Sequence, residues 1–202
     1  RQARERSMPK PIVLVGEAKG DQEVRINSSF VGASGIELLK MLNEAGIIEL
    51  SEKDYANINS YYNGSSDPRF IDRIWRLHPE VYRTNVFQLH PYGNKIESLC
   101  GAKAFGIKGY PALTKAKYVR REFIPDLARL GEEIDTISPN LVIALGNTPL
   151  WALTGRTGIS KIRGTTSLTT HTVSGYKLLA TYHPAAVLRQ WELRPTTVID
   201  LI

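Results

Sequence analysis

Five side chains with reactive or recognition chemistry stand at or just beyond short apolar segments of this sequence. Glu17 and Glu23 supply carboxylates, Asn85 an amide, His183 an imidazole and Phe30 an aromatic ring. Taken singly, each has an ordinary explanation, such as a solvated carboxylate, a turn amide, a core ring or a structural histidine before proline. Carboxylates and imidazoles also serve as acids, bases and charge stabilisers, so their meeting at one place would indicate an active site.

Four apolar segments predict the strands that would bring these side chains together. They run from Ile12 to Val15, Val81 to Gln88, Asn140 to Gly146 and Tyr176 to Tyr182. Because helical patterns alternate with them, the natural assembly is an α/β fold, a three-layer αβα sandwich around a mostly parallel four-stranded sheet. Ligands of such folds bind beyond the carboxyl ends of the strands, where Glu17, Asn85 and His183 would then lie.

The predicted helices follow from apolar spacing and from capping residues. They cover Gly35 to Ala45, 51–63, 67–78, Phe123 to Ile137 and Asn147 to Leu153. Ile36, Leu39 and Leu42 stand three apart and would face the sheet, and the helix over 67–78 would bury Phe70, Ile74 and Leu77. Asp67 followed by Pro68 is typical of a helix start.

Three segments show no period and are predicted to be turns or loops. The first strand is followed by a glycine-rich acidic turn, Gly16 to Glu23. Glycines and prolines interrupt Tyr92 to Lys117, which we expect to be a long surface loop. The threonine-rich stretch 156–175 is compatible with a hairpin.

The composition is that of one globular domain spanning 1–202. The chain has 202 residues, 42% of them apolar, and no apolar run approaches the roughly 20 residues that cross a bilayer. We therefore expect a soluble, cytoplasmic, monomeric protein without a membrane partner. The single cysteine, Cys100, excludes internal disulfides and any all-cysteine metal or iron–sulfur site, so no metal and no cofactor are expected.

The net charge of +6 is confined to the second half of the chain. Residues 98–202 hold 13 basic and 7 acidic side chains, and no acidic residue occurs between Asp135 and Glu192. A surface cleared of carboxylates and supplied with cations suits a polyanion such as DNA. An ordinary basic protein is the alternative.

The sequence resembles the uracil-DNA glycosylase superfamily, and most closely its bacterial and archaeal branch known as family 4. The matching segments are VGEAKGDQE at 15–23, FVGASG at 30–35, TNVFQLHPYGNK at 84–95, LVIALG at 141–146, KIRG at 161–164 and TYHPAAVLR at 181–189. They follow the order of the family's motifs and cover nearly the whole chain. The resemblance implies an enzyme that flips a pyrimidine out of DNA and cleaves its N-glycosidic bond.

The resemblance also implies a role for each of the five side chains. Glu17 matches the acidic residue that positions or polarises the attacking water, and Glu23 matches the acid near C5 of the pyrimidine. Phe30 matches the aromatic ring that stacks on the base, and Asn85 the amide that reads its edge. His183 matches the histidine that hydrogen-bonds the O2 atom of the base, where negative charge develops as the bond breaks.

Further residues are predicted to contact DNA, in single or double strands. The segment from Ala185 to Trp191 resembles the loop that enters the duplex beside the flipped base. These predicted contacts are Lys19, Lys161, Arg163, Leu188, Arg189 and Trp191.

The sequence departs from family 4 at several positions. The four cysteines of the iron–sulfur cluster are missing, and Leu89 occupies the position of one of them, so the loop 89–117 must be held by packing. Lys19 replaces a proline and Val24 replaces an acid. The segment 47–80 is longer than expected between these motifs.

These departures leave three hypotheses about function. The first is uracil removal from DNA in base-excision repair, and the second is the same chemistry on a bulky modified pyrimidine of phage DNA, as an antiviral defence. The third is a DNA-binding module without catalysis. A serine hydrolase is disfavoured because no Gly-x-Ser-x-Gly turn accompanies His183, and GEAKGD lacks the ending of a phosphate-binding loop.

Overall fold

A computed structural model of the chain describes residues 10–60 and 67–202. Its strands are β1 (Ile12–Ala18), β2 (Val81–Phe87), β3 (Cys100–Gly101), β4 (Tyr118–Val119), β5 (Leu141–Leu145), β6 (Thr166–Thr170) and β7 (Ser174–Thr181). Five of them form the central sheet in the order β2–β1–β5–β7–β6, and β3 pairs with β4 in a separate ribbon.

The central sheet is mostly parallel, as predicted, but it has five strands in place of four. Strands β1, β2, β5 and β7 run parallel and correspond to the four apolar segments of the sequence. The fifth strand, β6, pairs antiparallel with β7 at the edge of the sheet. Its sequence, Thr166 to Thr170, is polar because most of its side chains are exposed, so it has no apolar run by which it could be recognised.

The register of the parallel strands aligns their carboxyl ends. Gly16 in β1 lies opposite Asn85 in β2, and Leu145 in β5 lies opposite Thr181 in β7. Glu17 follows Gly16 directly, and His183 follows Thr181 by two residues. Three distant parts of the chain therefore deliver polar side chains to one edge of the sheet.

Nine α-helices occur in the described residues. They are α1 (Asp21–Ile26), α2 (Ala33–Glu44), α3 (Glu52–Ser60), α4 (Pro68–Arg76), α5 (Ile124–Ile137), α6 (Asn147–Thr154), α7 (Ile159–Ile162), α8 (Pro184–Arg189) and α9 (Arg194–Leu201). None of these helices is both long enough and apolar enough to span a membrane.

The helices cover both faces of the sheet and form three layers with it. Alternate side chains of β1 point to opposite faces: Val13 and Val15 join a core with α5 and α6, whereas Leu14 joins a core with α2 and α4. Both cores are fully buried at these positions. The predicted three-layer αβα sandwich is confirmed, with the predicted apolar face of α2 turned inward.

Two predicted boundaries need correction near the start of the chain. Strand β1 continues to Ala18, and the predicted acidic turn contains the short helix α1, whose six residues are too few to show a period. In α4, Asp67 caps the helix by accepting the amide of Arg69 at 3.0 Å. Leu77, predicted to be buried, is 65% exposed because the helix ends at Arg76 and its inner face is Ile71, Ile74 and Trp75.

The predicted helix over 51–63 is present from Glu52 to Ser60, and residues 61–63 lie outside the described part of the chain.

The segment following β2 is folded onto the core and is not the surface loop predicted for 92–117. It consists of 3₁₀ turns at Tyr92–Asn94, Ile96–Leu99, Lys103–Phe105 and Arg121–Phe123, together with the β3–β4 ribbon. Turns of three or four residues leave no detectable period. Apolar side chains of this segment are buried in the core of the protein, which confirms that packing holds the segment. They are Ile96, Leu99, Ile107, Leu113 and Val119.

Candidate active site

A cavity of about 500 Å³ opens at the carboxyl edge of the sheet. Its lining includes all five side chains singled out in the sequence, together with the exposed Arg189 at the end of α8: Glu17, Glu23, Phe30, Asn85, His183 and Arg189. The structure therefore brings together side chains that are as far as 172 positions apart in the chain, from Glu17 to Arg189.

The absence of a side chain at Gly16 lets two of these groups approach each other. A Cβ atom at this position would lie 2.2 Å from Asn85 Oδ1 and 2.5 Å from Phe30 Cζ. Both distances are far below van der Waals contact. The Phe30 ring and the Asn85 amide thus pack directly against the backbone of Gly16.

Phe30 is held in a backbone conformation that an aromatic residue rarely adopts. Its φ angle is +57°, in the left-handed region, which is unusual for bulky residues. Both of its backbone polar groups are bound: the N–H donates to Glu23 Oε1, and the carbonyl accepts the indole N–H of Trp75 at 2.8 Å. A Cβ at Gly35 would collide with the same carbonyl, so that glycine gives Phe30 its space.

Asn85 is held by a residue that does not line the cavity. The side chain is 1% exposed, and its Nδ2 donates to Ser29 Oγ at 3.2 Å. Ser29 directly precedes Phe30, so the amide and the aromatic ring are anchored to the same short loop. Ser29 and Trp75 were missed in the sequence because they act on other residues and leave no spacing pattern.

His183 caps helix α8, and this determines its tautomer. Its Nδ1 accepts the backbone N–H of Ala185 at 3.1 Å, so the neutral ring carries its proton on Nε2. Burial, with a smaller effect of the Arg189 charge, lowers the pKa of His183 from 6.5 to about 4. At neutral pH the residue is therefore an uncharged imidazole that can donate a hydrogen bond through Nε2.

Glu17 lies across the cavity in a desolvated position. Burial raises the pKa of its carboxyl group, and a hydrogen bond from Thr148 Oγ1 to Glu17 Oε2 opposes that rise. The charge of Arg189 also favours the ionised form. Thr148 was not singled out in the sequence, although its position just after an apolar strand places it at this same edge.

Glu23 organises the loop that carries Phe30. Its Oε2 accepts the N–H of Gly20 at 2.8 Å, and its Oε1 accepts the N–H of Phe30. Burial raises the pKa of this carboxyl group, and the backbone amides of Gly20, Phe30 and Val31 oppose the rise. Glu23 lines the cavity and at the same time closes the turn from α1 to the aromatic ring.

The residues predicted to contact DNA fall into two groups. Lys161 and Trp191 are exposed, Leu188 is partly exposed, and Arg189 lies at the cavity. Lys19 and Arg163 have internal partners. Lys19 is 6% exposed, and its Nζ is 2.5 Å from Oδ1 of Asn27, the residue that ends α1.

Arg163 forms a bidentate ion pair with Asp200, whose carboxylate is almost fully buried. Its guanidinium also donates to the carbonyl of Thr196 at 3.2 Å. The geometry therefore gives Lys19 and Arg163 structural partners, and a contact of either side chain with DNA stays a prediction.

The iron–sulfur cluster of family 4 does not fit the residues present. Such a cluster needs about four thiolates, whereas the chain has one cysteine, Cys100, which is buried with its Sγ 3.7 Å from the carbonyl of Ile96. In the described residues, no group of three or more His, Cys, Asp or Glu side chains is arranged to hold a metal ion.

Comparison with known proteins identifies relatives over almost the whole length. The sequence model of a family described as the Uracil DNA glycosylase superfamily matches residues 6–201. The chain is also 26% identical over 194 residues to the Type-4 uracil-DNA glycosylase of Thermotoga maritima, a match that covers 94% of this chain and 73% of the relative. The residues that the family model matches include every strand of the sheet and every side chain of the cavity described above.

Proposed function

Since this chain belongs to the uracil-DNA glycosylase superfamily, we propose that it is a DNA glycosylase that hydrolyses the N-glycosidic bond of a flipped-out uracil and leaves an abasic site. The main support is one observation: the cavity combines a buried aromatic ring, a fixed amide, a neutral imidazole donor and a desolvated carboxylate. These are the groups that extraction and cleavage of a nucleobase require.

Base binding is assigned to Phe30 and Asn85. A flipped pyrimidine would stack on the Phe30 ring, which the bonds to Glu23 and Trp75 hold in place before any base arrives. The Asn85 amide, fixed by Ser29, would bond the polar edge of the base. A preorganised site of this kind loses little side-chain entropy when the base binds.

His183 is assigned to stabilise the departing base. Cleavage of the C1′–N1 bond leaves its electron pair on the base, and the resulting negative charge is shared with O2. The Nε2–H of a neutral imidazole can donate to that oxygen, and this hydrogen bond strengthens as the charge grows. Because the pKa of His183 is about 4, the ring acts as a hydrogen-bond donor and does not protonate the base at neutral pH.

Glu17 is assigned to the sugar side of the reaction. A carboxylate beside C1′ stabilises the oxocarbenium-like sugar and orients a water molecule toward it, as carboxylates do in glycoside hydrolysis. The water adds its oxygen to C1′ and releases a proton, which the carboxylate can accept. The hydrogen bond from Thr148 sets the orientation of Glu17 for this step.

DNA contact is assigned to the surface around α8. Arg189 at the cavity can neutralise a phosphate next to the flipped nucleotide. Leu188 and the 57% exposed Trp191 can occupy the space that the base leaves in the stack. Lys161, also assigned to DNA contact, is exposed and belongs to the basic half of the sequence.

A bulky modified pyrimidine is the second candidate substrate, and the cavity itself supplies the reason to keep it. A volume of about 500 Å³ lies in the range that accommodates ligands larger than one pyrimidine ring. Gln22, on α1 beside Glu23, lines this cavity and has a buried Oε1 without a hydrogen-bond partner. A polar substituent at C5 of the base would lie toward α1 and could satisfy that oxygen.

Paired digests separate the two substrates. The protein is incubated with uracil-containing DNA and, separately, with glucosylated phage DNA, and abasic sites are counted in each. Abasic sites in uracil DNA alone support uracil excision and exclude the bulky substrate. Abasic sites in glucosylated DNA alone would establish the second candidate, and DNA binding without abasic sites in either sample would favour a non-catalytic module.

A further inference from the structure

We infer that three residues behind the cavity, Asp72 and Trp75 of α4 and Arg83 of β2, are positioning residues that hold Phe30 and Asn85 ready for the base. We call this group the clamp. It lies outside the set of side chains that line the cavity. The inference rests on the proposed function, because it assigns these residues to the base site of that reaction.

Trp75 provides the first arm of the clamp. Its indole Nε1 donates to the carbonyl of Phe30 at 2.8 Å, and both side chains are 2% exposed. The bond holds a residue whose φ of +57° is unfavourable for an aromatic side chain. Without this donor, the buried carbonyl of Phe30 would have no hydrogen-bond partner. The backbone of Phe30 would then be less stable at a positive φ angle and could change to a more common conformation.

Arg83 and Asp72 provide the second arm. Arg83 donates to the carbonyl of Ser29 at 2.8 Å and to Asp72 Oδ1 at 3.2 Å. Asp72 also accepts the hydroxyl of Ser28 at 2.5 Å. Residues 28 and 29 are therefore bound to α4 and β2 immediately before Phe30.

The two arms are joined to each other and to Asn85. The Arg83 guanidinium lies over the Trp75 ring, 4.9 Å from its centroid, which is within the range of a cation–π contact. Ser29, whose carbonyl Arg83 binds, accepts the Asn85 amide on its hydroxyl. One connected set of bonds thus reaches both groups that are assigned to bind the base.

The clamp also gives the long segment between the motifs a function. Asp72 and Trp75 both come from α4, within residues 47–80, the stretch that is longer than the resemblance to family 4 leads one to expect. Because Asp72 and Trp75 bond the loop that carries Phe30, the part of this segment that forms α4 supports the base site.

The test compares two tryptophans in equivalent settings. Trp75→Phe removes the indole N–H that binds Phe30 and keeps a ring in the core. Trp151→Phe is the matched control, because Trp151 is also buried and donates to a carbonyl, that of Pro111, at 2.9 Å in the opposite core. Tm is measured for both variants, so that a general loss of stability is recognised.

Two readouts are expected to distinguish the variants. Trp75→Phe should lower the single-turnover rate of base excision at least tenfold and weaken inhibition by the free base by a similar factor, while affinity for DNA with an abasic-site analogue stays within twofold. Trp151→Phe should lower Tm comparably and leave the rate within twofold of wild type. Equal rates in the two variants, from an active wild type, would overturn the clamp and leave the proposed function intact.

A third readout needs no catalysis. The chain has five phenylalanines, and in protein labelled with fluorophenylalanine the ¹⁹F signal that disappears in Phe30→Leu is assigned to Phe30. Asp72→Asn should shift or broaden the Phe30 signal selectively. An unchanged Phe30 signal would refute the clamp even if the wild-type protein excised none of the bases offered, and that inactivity by itself would count against the proposed function alone.

Discussion

The substitution Gly16→Ala places a single methyl group between the two side chains assigned to hold the base. The added Cβ would lie 2.2 Å from Asn85 Oδ1 and 2.5 Å from Phe30 Cζ, so one or both groups must move by about 1 Å to reach ordinary contact. Displacements of about 1 Å at reacting groups can cost about 100-fold in rate. Overpacking of this kind also destabilises a protein by about 1–3 kcal/mol.

The assay is single-turnover excision of uracil from DNA, with stability measured in parallel by urea unfolding. The control is Gly101→Ala, whose Cβ would meet only the Arg120 side chain at an ordinary 3.5 Å. We expect a rate reduced about 100-fold in Gly16→Ala and a rate near that of wild type in the control. A folded Gly16→Ala variant that excises the base at the wild-type rate would show that the base does not lie against Phe30 and Asn85.

Three further predictions follow from the same site. Excision should fall as the pH is lowered through the raised pKa of Glu17. This acid limb should vanish in the residual activity of Glu17→Gln, and a limb that persists in the variant would belong to another group. Asn85→Ala should reduce the excision rate much more than DNA affinity, because the amide faces the cavity and not the protein surface; equal losses would contradict that role. Arg189→Glu should weaken DNA binding and flatten its dependence on salt, and an unchanged salt dependence would show that Arg189 meets no phosphate.

The strands that form the site could be predicted from the sequence because they are buried. A strand covered on both faces, such as Val13 to Val15, is a continuous apolar run, and its end marks the edge where ligands bind. The edge strand β6 has an exposed, threonine-rich sequence and gave no comparable pattern. The short helix α1 and the 3₁₀ turns after β2 are likewise too brief for periodicity to reveal them.

The sequence alone could indicate the side chains that line the cavity, but it could not indicate the residues that hold those side chains in place. Glu17, Phe30 and His183 lie in recognisable sequence motifs, and the fold brings them to one cavity. Trp75 and Thr148 act through hydrogen bonds to other residues, and such tertiary contacts leave no trace in local spacing.

Lys19 shows the limit of reasoning from motifs. It stands inside the first motif of the sequence, which predicts a contact of its side chain with DNA. In the structure its side chain is buried and bound to Asn27, the residue that ends α1. The direction of a side chain after a strand depends on the local turn, which the motif alone does not fix.

If the residues that line this cavity catalyse hydrolysis of the N-glycosidic bond, the protein must release free base from DNA. The release of free base is therefore the most direct measurement of the proposed activity. Uracil-containing DNA is incubated with the wild-type protein and with the His183→Ala and Glu17→Gln variants. The free base is then quantified by mass spectrometry and the abasic strand by alkaline cleavage. We expect equal amounts of free base and abasic site with the wild-type protein and a loss of at least about 100-fold in each variant. Release of base at the same rate by all three proteins would contradict this expectation.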